Sequence, residues 1–369
     1  MSVFDRLTGQ GAVVSSLEAA VRGEGMTHAW LFTGPPGSGR SIAARAFAAA
    51  LLCPDGGCGE CASCHQADAT THPNLVVVQP AGLSISVDEA RRVVRTAALA
   101  ATGGRTHVVV VEDADRLTEQ AANAWLKAIE EPEPGCVFLL CAPSPEDLPP
   151  TVQSRCRLVT LRLPTADDVA DLLRRSGVPS DLAAWAAAAA QGHVGRARAL
   201  ATDEEARAQR EQALRIPARL ATVGEALHAA ADLVGLAEGE ADRRTKEVAA
   251  AETEALSDAV GKGRGTAGLY SDLAKKQRSR ETRARRDSLD RALVDLAAWY
   301  RDVLTVQLGA RTPLVNADQS DALRIAADDA APESTMRRIE AVLACREAIA
   351  ANVTPLLAVE RLTLALRAG

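Results

Sequence analysis

Aromatic residues are scarce in this chain: four Trp, two Tyr and four Phe in 369 residues. Proteins that grip single-stranded nucleic acid by stacking bases on rings need more, interleaved with basic residues. Long apolar runs are missing as well. With no span of about eighteen apolar residues and no export-type leader, the expectation is a cytoplasmic protein with no membrane contact. Charge of one sign is not in large excess either. A net charge of -6 excludes a surface that binds nucleic acid all over, while leaving room for a local basic face. What is abundant is alanine, within a 47% hydrophobic composition that supports ordinary cores in two or three domains, with helices packed through small residues.

The most informative stretch is Trp-Leu-Phe-Thr-Gly-Pro-Pro-Gly-Ser-Gly-Arg-Ser, residues 30–41. A short apolar strand feeds a loop with Gly34, Gly37 and Gly39, and an alanine-rich segment, Ser41–Leu52, then reads as a helix. Such loops cradle phosphates because glycine lets backbone N–H groups curl inward and the helix start adds partial positive charge. The spacing is that of the phosphate-loop pattern G-x-x-x-x-G-K-S/T, with Arg40 in the lysine position and Ser41 keeping the magnesium-type hydroxyl. A forked, planar guanidinium does not replace a compact ammonium between two phosphates. The reading is a cradle for ATP or ADP with Mg2+ whose key cation is altered.

Eight cysteines without an export signal argue against a disulfide framework. Four of them, Cys53, Cys58, Cys61 and Cys64, follow the C-x4-C-x2-C-x2-C spacing on a Gly-rich loop. Two overlapping C-x2-C steps bring thiolates within about 2.3 Å of one metal, which suits a closed, structural Zn2+ site with no open position for water. An iron–sulfur cluster and four incidental thiols are the alternatives. His65 reads as a neighbour of this module and not as a ligand.

Further on, His107-Val-Val-Val-Val-Glu-Asp reads as a buried parallel strand whose tip carries Glu112 and Asp113 into a nucleotide site. Strands are also expected at 75–79, 136–142 and 158–163. Phe4 and Leu7 belong either at the mouth of the nucleotide pocket or in an N-terminal anchor. Arg91, Arg92 and Arg95 share neighbouring turns of a helix over 86–100, either facing a partner or DNA or forming a solvated face. From about 208 the pattern is almost wholly helical. Within it, residues 236–291 form a charged insertion with a break at 261–265 and a basic run from Lys275 to Arg286. That run reads as a solvated helix or mobile insertion in preference to a DNA contact, since no aromatics interleave it.

The segment Asn123-Ala-Trp-Leu-Lys-Ala-Ile-Glu-Glu-Pro132, followed by Ser154-Arg155-Cys156, resembles the clamp-loader branch of the AAA+ ATPases. The cysteine module directly after the phosphate-loop helix points within that branch to bacterial DNA polymerase III subunits. The resemblance covers residues 1 to about 207. It implies an α/β AAA+ P-loop domain with a parallel sheet over 1–162 and the zinc module at 53–64. An all-α, three-helix lid over 163–207 and an all-α collar for oligomerisation over 208–369 follow. The implied partners are the tau/gamma and delta subunits of a heteropentameric ring, with the sliding clamp and primer-template DNA reached through the complex. The family's strand normally ends Asp-Glu, where this chain has Glu112-Asp113, and a Thr or Asn is expected where Ala142-Pro143 stands. Arg155 matches the arginine that a subunit offers in trans to its neighbour's ATP, a solvated loop residue being the alternative. Arg196 is nearest to the family's lid arginine, one residue out of register. The family thus implies a non-hydrolysing stator; the competing expectations are an active ATPase and a free-standing zinc-containing nucleotide switch.

Overall fold

The structure is a computed structural model, and it describes residues 2–80, 82, 84–100, 106–261 and 266–369. It divides into two compact units, Met1–Ala201 and Thr202–Gly369.

The first unit is built on five parallel strands, β1 (Ala29–Thr33), β2 (Leu75–Val78), β3 (His107–Val111), β4 (Cys136–Ala142) and β5 (Arg157–Thr160), in the order β2-β3-β4-β1-β5. Side chains alternate faces along a strand, so a sheet covered on both sides demands unbroken apolar runs. Trp30, Phe32, Val108 and Val110 enter one core, while Ala29, Leu31, Val109 and Val111 enter the other. Helices α1 (Gly11–Val21), α2 (Arg40–Leu52) and α3 (Ala62–Asp68) come before β2, and α4 (Val87–Ala100) and α5 (Glu119–Glu130) flank β3 in sequence. Alanine at the buried positions of α2 lets the helix lie close to the sheet, where Phe47 meets the Trp30 ring edge-on at 4.9 Å. Trp125 of α5 donates to the Ala90 carbonyl of α4 at 3.0 Å and joins the two helices. A short α6 (Pro150–Gln153) precedes β5, and α7 (Ala166–Arg175), α8 (Ser180–Ala190) and α9 (Val194–Thr202) close this part of the chain.

The last strand ends at Thr160, short of the 158–163 read from the sequence. Leu161 N–H still donates to the Thr33 carbonyl at 2.7 Å, but the Leu161 carbonyl then packs against Gly34 and the Arg162 carbonyl accepts from Gln10, which ends the ladder. Of the two readings of the N-terminus, the anchor holds: Phe4 and Leu7 are buried in the core over α2. Arg91, Arg92 and Arg95 are solvent-exposed on α4.

The second unit contains α10 (Glu204–Leu214), α11 (Val223–Val260), α12 (Ala267–Gln307), α13 (Ser320–Asp328), α14 (Pro332–Ala350) and α15 (Pro355–Ala368). Leu233, Leu293, Leu296, Trp299, Val342 and Val359 share its core. The break expected at 261–265 falls, apart from Gly261, outside the described residues. The basic run lies within α12, which pairs antiparallel with the acid-rich α11. Arg280 meets Glu252 at 2.8 Å, Arg285 meets Asp242 at 3.1 Å, and Arg291 meets Glu240 at 2.6 Å. Arg280 and Arg285 of the run are thus matched by carboxylates of the same unit, which offsets part of the charge excess that the sequence presents locally. Among the described residues, no helix is long and apolar enough to cross a membrane.

Candidate functional site

Ligands of open α/β sheets bind beyond the carboxyl ends of the strands, where connections leave in opposite directions. The phosphate loop lies there, between β1 and α2. Its glycines are required by geometry: Gly34, Gly37 and Gly39 all have positive φ. A side chain at Gly34 would lie 2.4 Å from the Leu161 carbonyl oxygen, and one at Gly37 would lie 2.8 Å from His193 Cβ. Gln10, buried, donates to the Ser38 carbonyl at 3.3 Å and to the Arg162 carbonyl at 2.6 Å, fastening the loop to the chain after β5. Gly39, the N-cap of α2, has no side chain to cap the first turn, so that turn presents its N–H groups as an anion cradle would. Ser41 sits half-buried in that turn.

The charges around the cradle are committed elsewhere. Arg40 folds back and donates to the Gly34 carbonyl within its own loop. At the tip of β3, Glu112 accepts from Arg45 of α2 at 2.6 Å through one oxygen and from Gln79 at 3.0 Å through the other. Asp113 takes a left-handed conformation and stands 3.8 Å from Arg116. Asp115 has a carboxyl held above the usual range, first by burial and then by Asp113, with Arg40 close enough to oppose the shift. Arg196 lies in the first turn of α9, its backbone N–H donating to His193 Nδ1 at 3.3 Å. His193, Gln10, Gln79, Arg45 and Asp115 have no motif signal of their own. Each matters through contacts between segments distant in sequence.

The four cysteines meet. Sulfur atoms around a tetrahedral metal with bonds of about 2.3 Å lie about 3.8 Å apart. Cys53 Sγ is 3.7 Å from the sulfurs of both Cys58 and Cys61, and all four sulfurs lie within 4.8 Å of one another. Backbone N–H groups support the set, Gly59 donating to Cys64 Sγ and Cys64 to Cys61 Sγ, each at 3.4 Å. Burial pushes the Cys53 thiol up, but N–H groups of Cys58, Gly57 and Asp55 outweigh it and bring the thiol below its ordinary value. Burial pushes the neighbouring Cys64 thiol up to about 12, and four sulfur donors in this arrangement fit a zinc ion with no coordination position left over. The loop also holds the N-terminus, since Val3 donates to the Gly57 carbonyl at 3.0 Å.

Arg155 lies between α6 and β5. Its guanidinium meets Glu130, the last residue of α5, at 2.6 Å and donates to the Thr151 carbonyl at 2.6 Å and to Ser154 Oγ at 3.2 Å. Glu130 is inside the motif that carried the family resemblance, yet nothing in its spacing marks it as the partner of Arg155.

A family model described as DNA polymerase III, delta subunit, matches residues 9–165. The proteins named DNA polymerase III subunit delta' of Pseudomonas aeruginosa and Haemophilus influenzae are each 39% identical. Those matches cover 40% and 38% of this chain and 47% and 44% of the relatives. DNA polymerase III subunit tau of Bacillus subtilis is 32% identical over 42% of this chain and 28% of its own length. The matches therefore span less than half the length of these relatives. Among solved structures, a DNA polymerase III gamma subunit-related protein of Thermotoga maritima aligns over 96% of this chain and 98% of its own. Its TM-score is 0.42 at 14% identity, a likeness too slight to bear on function.

Proposed function

We propose that the chain belongs to the DNA polymerase III delta-prime and clamp-loader family, on the likeness carried by residues 9–165, and that it is a non-hydrolysing, stator-type subunit of a clamp loader. In this reading it helps to place a sliding clamp on primed DNA, within a ring with tau/gamma and delta subunits. It contributes Arg155 to the triphosphate held by a neighbour. A cation presented in this way stabilises charge that develops on the transferred phosphoryl group.

The observation that carries the reading is the state of the chain's own acidic tip: both oxygens of Glu112 are engaged by Arg45 and Gln79. A carboxylate so held is a poor support for magnesium, and Arg40 at the lysine position is turned onto its own loop. Passive ATP or ADP binding remains compatible with the glycine cradle, whereas bond cleavage would need groups that are already paired. The cysteine cluster supports structural zinc, and the lid and collar roles of 163–207 and 208–369 belong to the same proposal.

A catalytically active, tau/gamma-like ATPase is the second reading, favoured by the intact glycines, Ser41 and the similarity to subunits named tau. The experiment that separates them measures ATP turnover by the purified chain and by the reconstituted assembly. The proposal expects no turnover by the chain alone, and a loss of about 10²–10³-fold in the assembly on Arg155→Ala, the usual cost of removing one charge-stabilising donor. Turnover by the lone chain that Ser41→Ala abolishes would establish the motor instead.

A further inference from the structure

An arginine that acts on another subunit's phosphate must reach outward in a defined direction, and a long side chain left to itself samples many rotamers. Arg155 is not left to itself. One terminal nitrogen, Nη1, is occupied by the Thr151 carbonyl and Ser154 Oγ, both on the segment leading into the turn. The other, Nη2, is 2.6 Å from Glu130 Oε1. Those contacts fall on both terminal nitrogens, from two separate segments of the chain, and so restrain the rotamer of Arg155. Of the five N–H donors, Nε–H has no part in these contacts, which leaves it to reach a phosphate oxygen. Glu130 ends α5, so the cation also lies at the negative end of a helix, a second attraction to the same place.

We infer that Glu130 is a positioning residue for Arg155, holding the guanidinium in cis so that its remaining donors meet the neighbouring triphosphate without a prior rotamer search. The inference rests on the proposed role of Arg155. The side chains of Arg155 and Glu130 are 37% and 44% exposed, so the pair is solvent-screened and weak enough to adjust when a triphosphate arrives. Glu130 touches no reacting atom in this scheme. Its effect passes wholly through Arg155.

The test is a double-mutant cycle on the reconstituted assembly, with kcat and KM for ATP measured for the unmodified chain, Glu130→Gln, Arg155→Ala and the double variant. Glu130→Gln is expected to lower kcat about fivefold, equivalent to about 1 kcal/mol, with KM for ATP unchanged. In the Arg155→Ala background the same substitution is expected to change nothing. An unchanged kcat in Glu130→Gln overturns the inference, and so does a fivefold loss that persists without Arg155, because that loss would come from the fold. Thermal melting of each chain checks folding, and Glu130→Asp replaces Glu130→Gln in the cycle if the latter fails to assemble. If Arg155→Ala alone leaves turnover intact, the trans role of Arg155 fails, an outcome distinct from failure of Glu130.

Discussion

In Met1–Ala201 the ion pairs of Arg45 with Glu112 and Arg155 with Glu130 stand at the margins of a sheet whose interior is apolar. In Thr202–Gly369 acid–base pairs run along α11 and α12, and Arg210 is buried with Asp295 and Asn316. The difference teaches where each unit draws its specificity. The parallel sheet is defined by apolar alternation and by a cysteine cluster that ties the loop after α2 to the N-terminus. The long helices, whose apolar stripes alone would tolerate sliding, have polar contacts that prefer one register. The two units should therefore fail under different insults.

The largest contrast is expected from the cysteines. Cys53→Ser, or chelation of a bound zinc, should cost the first unit about 5 kcal/mol or more, below the roughly 10–16 kcal/mol of peptides that have no other core. The second unit's unfolding transition should stay in place. Metal content by plasma mass spectrometry and two-transition denaturation check this together; a chain free of zinc with both transitions unmoved breaks the comparison.

Next in size is Arg210→Ala. Arg210 is 5% exposed, donates to Asn316 Oδ1 at 2.7 Å and lies 3.4 Å from Asp295. Asn316 in turn gives its backbone and side-chain N–H groups to the buried Asp302 at 2.7 and 2.8 Å. Removing the cation leaves the Asp295 carboxylate and an amide oxygen buried with fewer partners, which should cost the second unit about 3–5 kcal/mol by urea denaturation. An equal shift in the first unit's transition would show that the units do not fail separately.

The smallest effect is expected at the exposed contacts between α11 and α12. Arg280→Ala should cost the second unit no more than about 1 kcal/mol, because both members of its pair with Glu252 are about one-third exposed, and high salt should mask most of that cost. The Arg280 hydrogen bond lowers the Glu252 carboxyl below its ordinary range. A depressed folded-state value means that the contribution is fully present above the unfolded carboxylate pKa of about 4.3 and fades as pH falls through the lowered value. Denaturation of the Arg280→Ala chain at neutral and acidic pH measures this. A gap that does not close in acid would sink the assignment.

Much of the candidate site could be read from one dimension. Gly34, Gly37 and Gly39 declare a tight loop by spacing, Cys53, Cys58, Cys61 and Cys64 declare a cluster by density, and the valines before Glu112 declare a buried strand. The basic run from Lys275 to Arg286 lies on a long helix, but its matching acids on α11, Glu252 and Asp242, are too far away in sequence to be read as its partners. β5 was read too long for a similar reason: the residues after Thr160 look strand-like, but their carbonyls face the phosphate loop and Gln10.

The sequence by itself determined the phosphate-loop form, the cysteine set and the alternation that makes a parallel sheet, because each is a pattern of near neighbours imposed by backbone sterics and short chain spacing. Only the tertiary structure decided that Glu112 is held by Arg45 and Gln79, that Arg40 turns onto Gly34, and that Arg155 meets Glu130. Those outcomes depend on which charges the packed chain brings within a few ångströms of one another. Coulomb attraction depends on distance in space, and separation along the chain does not measure it.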